Sequence, residues 1–293
     1  MKAKKSLGQN FLKSPAVIRK MVEVAEVTAV DTVLEIGPGK GALTHYLLES
    51  CAKVVAIEKD ADMIPILEER FASEVKNKQL QLIHSDITAL SSTHNTNNSK
   101  HPIIKSHMGF DDWVQVWGMG SCSYKVVANI PYYITGEIIR TFLETKAPLT
   151  QPTSMTLMVQ KEVAQRIVAS DGKESILSMS VKAYGEPKYV QKVPAMLFNP
   201  APKVDSAILH IANISKDFFK ENHITEQGFF RVLKQGFAQK RKKLTNNLKP
   251  LITPKPGFGV EDILEQIGIE PKARAETLTL EQWGQLTRLI FNV

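Results

Sequence analysis

The chain has 293 residues, of which 43% are hydrophobic and 23% charged, enough to bury a sizeable core without disulfides or metals. Collagen-like, coiled-coil and disulfide-scaffold architectures are excluded. The net charge of +7 is unevenly placed: residues 1–20 hold Lys2, Lys4, Lys5, Lys13, Arg19 and Lys20 and no acid, and residues 237–249 hold Lys240, Arg241, Lys242, Lys243 and Lys249 and no acid. Such clusters suit a polyanion. Cys51 and Cys122 form no C-x-x-C pair, which suits a reducing compartment. No apolar run reaches the ~18 residues of a membrane span, and the basic N-terminus has no apolar stretch of a secretory signal. A cytoplasmic protein with no membrane partner is expected.

From residue 32, short β-branched runs alternate with helical stretches. TVLEI (32–36), KVVAI (53–57), LQLIH (80–84), KVVAN (125–129) and MTLMVQ (155–160) read as strands. ALTHYLLES (42–50), residues 60–73 and GEIIRTFLE (136–144) read as helices. This alternation predicts a doubly wound, mostly parallel α/β sheet of Rossmann-like type. The apolar strand centres fit burial on both faces. PKYVQKV (187–193) and VDSAILHI (204–211), joined by a Pro-rich link, predict an antiparallel pair closing the sheet. Beyond about residue 213 only helical patterns remain, at 226–239, 260–267 and 280–291. The last opens on Thr279 with Gln282 three residues on, a capping-box pattern. The sequence thus divides into an α/β domain, 1–212, with a basic arm at 1–20, and a small all-α domain, 213–293. The stretch 91–124 begins polar and low in complexity and is too long for an ordinary connection. Its His94, His101, His107 and Cys122 match no standard zinc spacing, and no metal is expected.

EIGPGKGALT (35–44) follows a strand and opens a helix. Gly37, Gly39 and Gly41 let the backbone turn tightly and approach a ligand. Glu58 ends the next strand, 21 residues after Gly37, where a carboxylate can hold both hydroxyls of a ribose. NAD sites usually show G-x-G-x-x-G, because a pyrophosphate sits on the helix N-terminus. Here the third glycine comes one residue early, and an acid, Glu35, stands just before the loop. That favours S-adenosylmethionine, whose sulfonium and ammonium suit nearby carboxylates and which carries no phosphate. Asp86, in HSDIT, is placed to meet an adenine amino group; alone it also reads as a helix N-cap.

NIPYYI (129–134) lies at the end of the strand KVVAN. It resembles the (N/D)-x-P-(Y/F) motif of methyltransferases acting on exocyclic amino groups. The lone pair of adenine N6 is delocalised into the ring, so this nitrogen is a poor nucleophile. The side-chain carbonyl of Asn129 and the backbone carbonyl of Ile130 can accept its two N–H bonds and aim the lone pair. Pro131 fixes the turn without a competing N–H, and Tyr132 offers a face on which a flipped base stacks.

KSLGQNFL (5–12), EIGPGKGALT, VVAIEKD (54–60), HSDIT (84–88), NIPYYIT, QKEVAQRI (160–167), FNPAPKVDSAIL (198–209) and FAQKRKKLTNNL (237–248) together resemble the ribosomal RNA adenine dimethyltransferase family, in its order and over about residues 4–290. Within it the likeness is strongest to the small-subunit, kasugamycin-sensitivity branch. The resemblance implies a class I S-adenosylmethionine-dependent methyltransferase fold plus a helical C-terminal domain. It also implies dimethylation of two adjacent adenosines in the terminal hairpin of small-subunit rRNA, within the small subunit or its precursor, by a monomer. By matched position, Asn10 and Leu12 would close over the cofactor, with Gly37 and Gly39 in the loop at its methionine end. Glu58 would meet its ribose, Asp86 its adenine, and Asn129 both cofactor and target. Ile130, Pro131 and Tyr132 would form the catalytic wall, with Phe198 on the opposite side of the adenine. Lys240, Arg241, Lys242 and Lys243 would lie near RNA phosphate. Two departures stand out: the 91–124 stretch is longer than usual, and Ala201 replaces a frequent proline. The large-subunit enzymes of macrolide resistance, and a non-catalytic RNA-binding or transcription factor on the same fold, are the alternatives.

Overall fold

Strand centres with no polar residue set the architecture. Val54, Val55 and Ala56 of one strand and Val126, Val127 and Ala128 of another have no exposed surface, which requires cover on both sheet faces. The computed structural model describes Lys4 and residues 7–51, 53–90, 123–144, 151–252 and 259–291. Most of the 91–124 stretch, with His94, His101, His107 and Cys122, lies outside the described residues.

Nine strands are described: β1 (Phe11–Leu12), β2 (Thr32–Ile36), β3 (Lys53–Glu58), β4 (Leu80–His84), β5 (Tyr124–Asn129), β6 (Ser154–Gln160), β7 (Glu186–Val193), β8 (Phe198–Asn199) and β9 (Ser206–Ala212). Seven form one sheet in the order β4-β3-β2-β5-β6-β9-β7. From β4 to β6 every pairing is parallel, with Leu34 opposite Val55 on one side of β2 and Val126 on the other. β9 runs antiparallel to β6, Met158 opposite Ile208. The expected closing pair is therefore entered in reverse: β9, the later strand, inserts between β6 and β7. The chain leaves β2 toward β3 and returns to β5 on its other side. That topological switch point opens a crevice at the carboxyl ends of the strands.

The chain divides into two compact units, Met1–Ala164 with Lys188–Ile214, and Gln165–Pro187 with Ser215–Val293. The boundary expected at 212/213 misses one excursion: residues 165–187, including the helix Ile176–Lys182, group with the C-terminal helices. In that second unit, Tyr184 meets Phe219 edge-on at 5.1 Å and donates to Glu226 Oε2 at 2.6 Å. The helix Glu226–Gly236 is capped by Thr225 and buries Phe229, Val232 and Leu233 along one face. It stops three residues short of the expected 239. The buried side-chain amide of Asn247 donates to the carbonyls of Gly236 and Gln239, at 2.6 and 3.2 Å, in place of a further turn. The capping box at Thr279 and Gln282 forms with both bonds present, at 3.0 and 3.3 Å.

Candidate active site

The first unit holds a cavity of about 330 Å³ at the switch point. It is built from the carboxyl ends of β2, β3 and β5, the turn after β4, and residues 7–13 laid across them. Asn10, Leu12, Gly37, Gly39, Glu58, Asp86, Asn129, Ile130, Pro131 and Tyr132 all line it.

The three loop glycines have φ of 68°, 57° and 77°. At Gly39 a Cβ would stand 2.9 Å from the ring of Phe11, so the positive φ and the close approach both call for glycine. Gly37 faces open space. The Gly39 N–H donates to Glu58 Oε2 at 3.0 Å and the Asp60 N–H to Oε1 at 2.7 Å, fixing a carboxylate that is 6% exposed. Burial pushes the Glu58 carboxyl above its ordinary range, against the pull of these N–H groups.

Glu35 also lines the cavity, 1% exposed, with Oε2 buried and without a hydrogen-bond partner. Burial, reinforced by the Glu58 charge, pushes its carboxyl up to about 8. A buried carboxyl with one unpartnered oxygen, held otherwise only by Thr44, calls for a cation or a further donor. Asp86 accepts from the backbone N–H and hydroxyl of Thr88 at 3.0 and 2.8 Å, and pairs with Lys59 at 2.7 Å. It therefore caps the turn Ile87–Leu90 and lines the cavity at once. Burial pushes its carboxyl up, but Lys59 and Thr88 hold it below the usual range.

Asn129 Nδ2 donates to the Asn10 carbonyl at 3.1 Å, which leaves Oδ1 as the acceptor that side chain still offers. Pro131 has φ −59° and ψ 133°, the fixed turn that its ring imposes. The Tyr132 hydroxyl shares a 2.5 Å hydrogen bond with the fully buried Ser206 of β9. Phe198 does not line this cavity. It is 2% exposed, outside the cavity lining and within the hydrophobic core, because its backbone pairs with Leu12 of the arm. Its neighbour Asn199 reaches the cavity instead. Lys240, Arg241, Lys242 and Lys243 belong to the second unit, exposed on the turn before the helix Leu244–Leu248.

Sequence reading missed Phe11 and Asn199, and used Glu35 only to choose between cofactors. Only Glu35 had a local signal, an acid at the end of a strand two residues before Gly37. Ser206 had none, since its bond to Tyr132 spans 74 residues.

Strand order, the glycine loop and the buried carboxylate that ends β3 define a class I methyltransferase fold with a helical C-terminal part. A model of the ribosomal RNA adenine dimethylase family matches residues 1–291, and the chain belongs to that family. A ribosomal RNA small subunit methyltransferase A from Dehalococcoides mccartyi (strain CBDB1) is 40% identical over 291 residues, covering 98% of this chain and 88% of the relative. The protein of the same name from Clostridium botulinum (strain Langeland) is 36% identical over 294 residues, covering 100% and 95%. A solved dimethyladenosine transferase from Plasmodium falciparum superposes with a TM-score of 0.73 at 27% identity, covering 96% of this chain and 97% of that one. The 23S rRNA methyltransferase ErmE shares the fold, with a TM-score of 0.68 at 23% identity over 95% and 98%.

Proposed function

We propose that this chain dimethylates N6 of two adjacent adenosines in the terminal hairpin of small-subunit rRNA, using S-adenosylmethionine. The observation that carries the reading is Asn129: its amide nitrogen is committed to Asn10, and it lines the cavity beside Pro131 and Tyr132. The small-subunit names of the relatives favour that RNA over large-subunit RNA.

The unpartnered Oε2 of Glu35 and the open space beside Gly37 support a cofactor in this cavity. Glu58 would hold the ribose hydroxyls, and Asp86 the adenine amino group. Gly37 and Gly39 would admit the methionine end near Glu35, whose carboxyl the ligand's cations would draw into its ionised form. Asn10 and Leu12 would cover it. When bound, S-adenosylmethionine supplies an electrophilic methyl group.

The protein's part is to position a weak nucleophile. Asn129 Oδ1 and the Ile130 carbonyl accept the two N6 hydrogens, drawing the amine toward a geometry with its lone pair free. Tyr132, steered by Ser206, presents a ring on which the extruded base stacks. After attack the ring-bound ammonium is strongly acidic, so water takes its proton. Phe198, buried under the arm, anchors β1 in this reading. The basic turn at 240–243 meets RNA phosphate, where charge counts more than sequence.

The test is to incubate the protein with S-adenosylmethionine and unmethylated small subunits, digest the RNA and weigh the nucleosides. N6,N6-dimethyladenosine from the terminal hairpin is the expected product. Its absence, with cofactor bound, would overturn the reading.

A further inference from the structure

We propose that Asp60 is a positioning residue that latches the N-terminal arm over the cofactor cavity. The inference rests on the cofactor reading above. Asp60 is 2% exposed and lies just beyond β3, outside the cavity lining. Its carboxylate receives Lys4 Nζ at 2.6 Å, Gln9 Nε2 at 2.7 Å and the Asp62 N–H at 3.1 Å. Gln9 Oε1 in turn accepts the Lys4 backbone N–H at 2.8 Å. Two arm residues and one buried acid thus form a closed polar ring, with Asp62 a second partner of Lys4 at 2.6 Å.

The same residue also touches the ribose-type carboxylate, since its N–H holds Glu58 Oε1 at 2.7 Å. One residue therefore ties the cavity floor to its cover. Elsewhere the arm is held by Asn129 at the Asn10 carbonyl and by the short β1–β8 ladder. Between these anchors, residues 7–13 line the cavity. A ligand in the cavity lies against the arm, so in this proposal the latch slows its dissociation. Burial alone would raise the Asp60 carboxyl, yet Lys4 and Gln9 hold it below its usual range, the signature of a loaded ion pair.

The test compares wild type, Asp60→Asn, Lys4→Met and the double variant in the full chain. One readout is the rate at which labelled S-adenosylmethionine leaves a preformed complex. A second, without ligand, is tryptic release of the fragment beginning at Ser14, which reports arm opening. We expect each single variant to speed both about tenfold, the fold-change that ~1.4 kcal/mol represents. The double variant should fall well short of the product of the two single effects, because the Lys4–Asp60 pair is common to both, while Lys4 also reaches Asp62. A merely structural Asp60 would lower the thermal midpoint and leave dissociation from the folded protein unchanged. Rates within about twofold of wild type in both single variants, or increases that multiply in the double variant, would overturn the latch; twofold is under half a kcal/mol. If Asp60→Asn fails to fold, Lys4→Met decides alone, since its side chain is 40% exposed. A wild-type chain that never retains S-adenosylmethionine would instead sink the cofactor reading, a distinct result.

Discussion

Asn129 divides its side chain between two partners, and that division gives a sharp expectation. Asn129→Ala loses both the tie to Asn10 and the acceptor for the target amine. Methyl transfer should fall by about 100-fold or more, the scale of a mispositioned reactant, while the thermal midpoint barely moves. Near-normal turnover in a folded variant would remove Asn129 from the mechanism. Glu35 gives a pH expectation. In the unfolded chain its carboxyl titrates near 4.5, and burial in the ligand-free fold raises that to about 8. Between those values the folded state holds a proton that the unfolded state has lost, so stability falls as pH rises through the window. The Glu58 carboxyl is also raised and adds in the same direction. Glu35→Gln should flatten the decline of the thermal midpoint between pH 5 and 8, measured without ligand. A parallel decline in the variant would assign the effect to other groups. Glu58 and Asn129 were legible in sequence because each ends a buried strand at a fixed place in the crevice. Phe198 was not, because its burial depends on β1 pairing across 186 residues.

At the scale of elements, the arm and the glycine loop work as a matched pair. Phe11 lies against Gly39, with the Lys40 ammonium 5.3 Å from the ring centre. Gly39→Ala would push Phe11 away and strain a residue with φ of 57°. We expect cofactor affinity to drop about tenfold, or ~1.4 kcal/mol, from the displaced cover. The strain itself should cost about 1 kcal/mol of stability. Calorimetry with S-adenosylmethionine checks this, and unchanged affinity would mean the arm does not cover the ligand. Most elements were readable because period and burial agree locally: β2, β4 and the helices Ala42–Ser50 and Leu280–Phe291 have the expected bounds. The failures share a cause. The helix expected over 60–73 begins at Met63, after the turn that seats Asp60, and breaks at Phe71 with φ −117° and ψ 35°. The one expected over 226–239 yields to Asn247. The first is set by a turn inside the expected segment, the second by a side chain that pattern reading assigns to the next one.

At the scale of the molecule, chemistry and the basic turn belong to different units. Residues 165–187 leave the first unit and return to it, an excursion that looks from sequence like one more connection between strands. The separation predicts separable losses. Neutralising Lys240, Arg241, Lys242 and Lys243 should reduce the slope of log affinity against log salt by about 0.7 for each phosphate that is no longer neutralised. Cofactor affinity should stay the same, because none of the four lines the cavity. An unchanged salt slope would show these exposed cations to be solvated only. Asn129→Ala should do the reverse, keeping the wild-type salt slope while losing transfer.

The cavity at the carboxyl ends of β2, β3 and β5 methylates small-subunit RNA. The most direct measurement offers labelled S-adenosylmethionine with purified, unmethylated small and large ribosomal subunits side by side, using wild type and Asn129→Ala. Label is expected in small-subunit RNA alone, recovered as N6,N6-dimethyladenosine, and lost in the variant. Label in the large subunit, or undiminished label with Asn129→Ala, would contradict the claim.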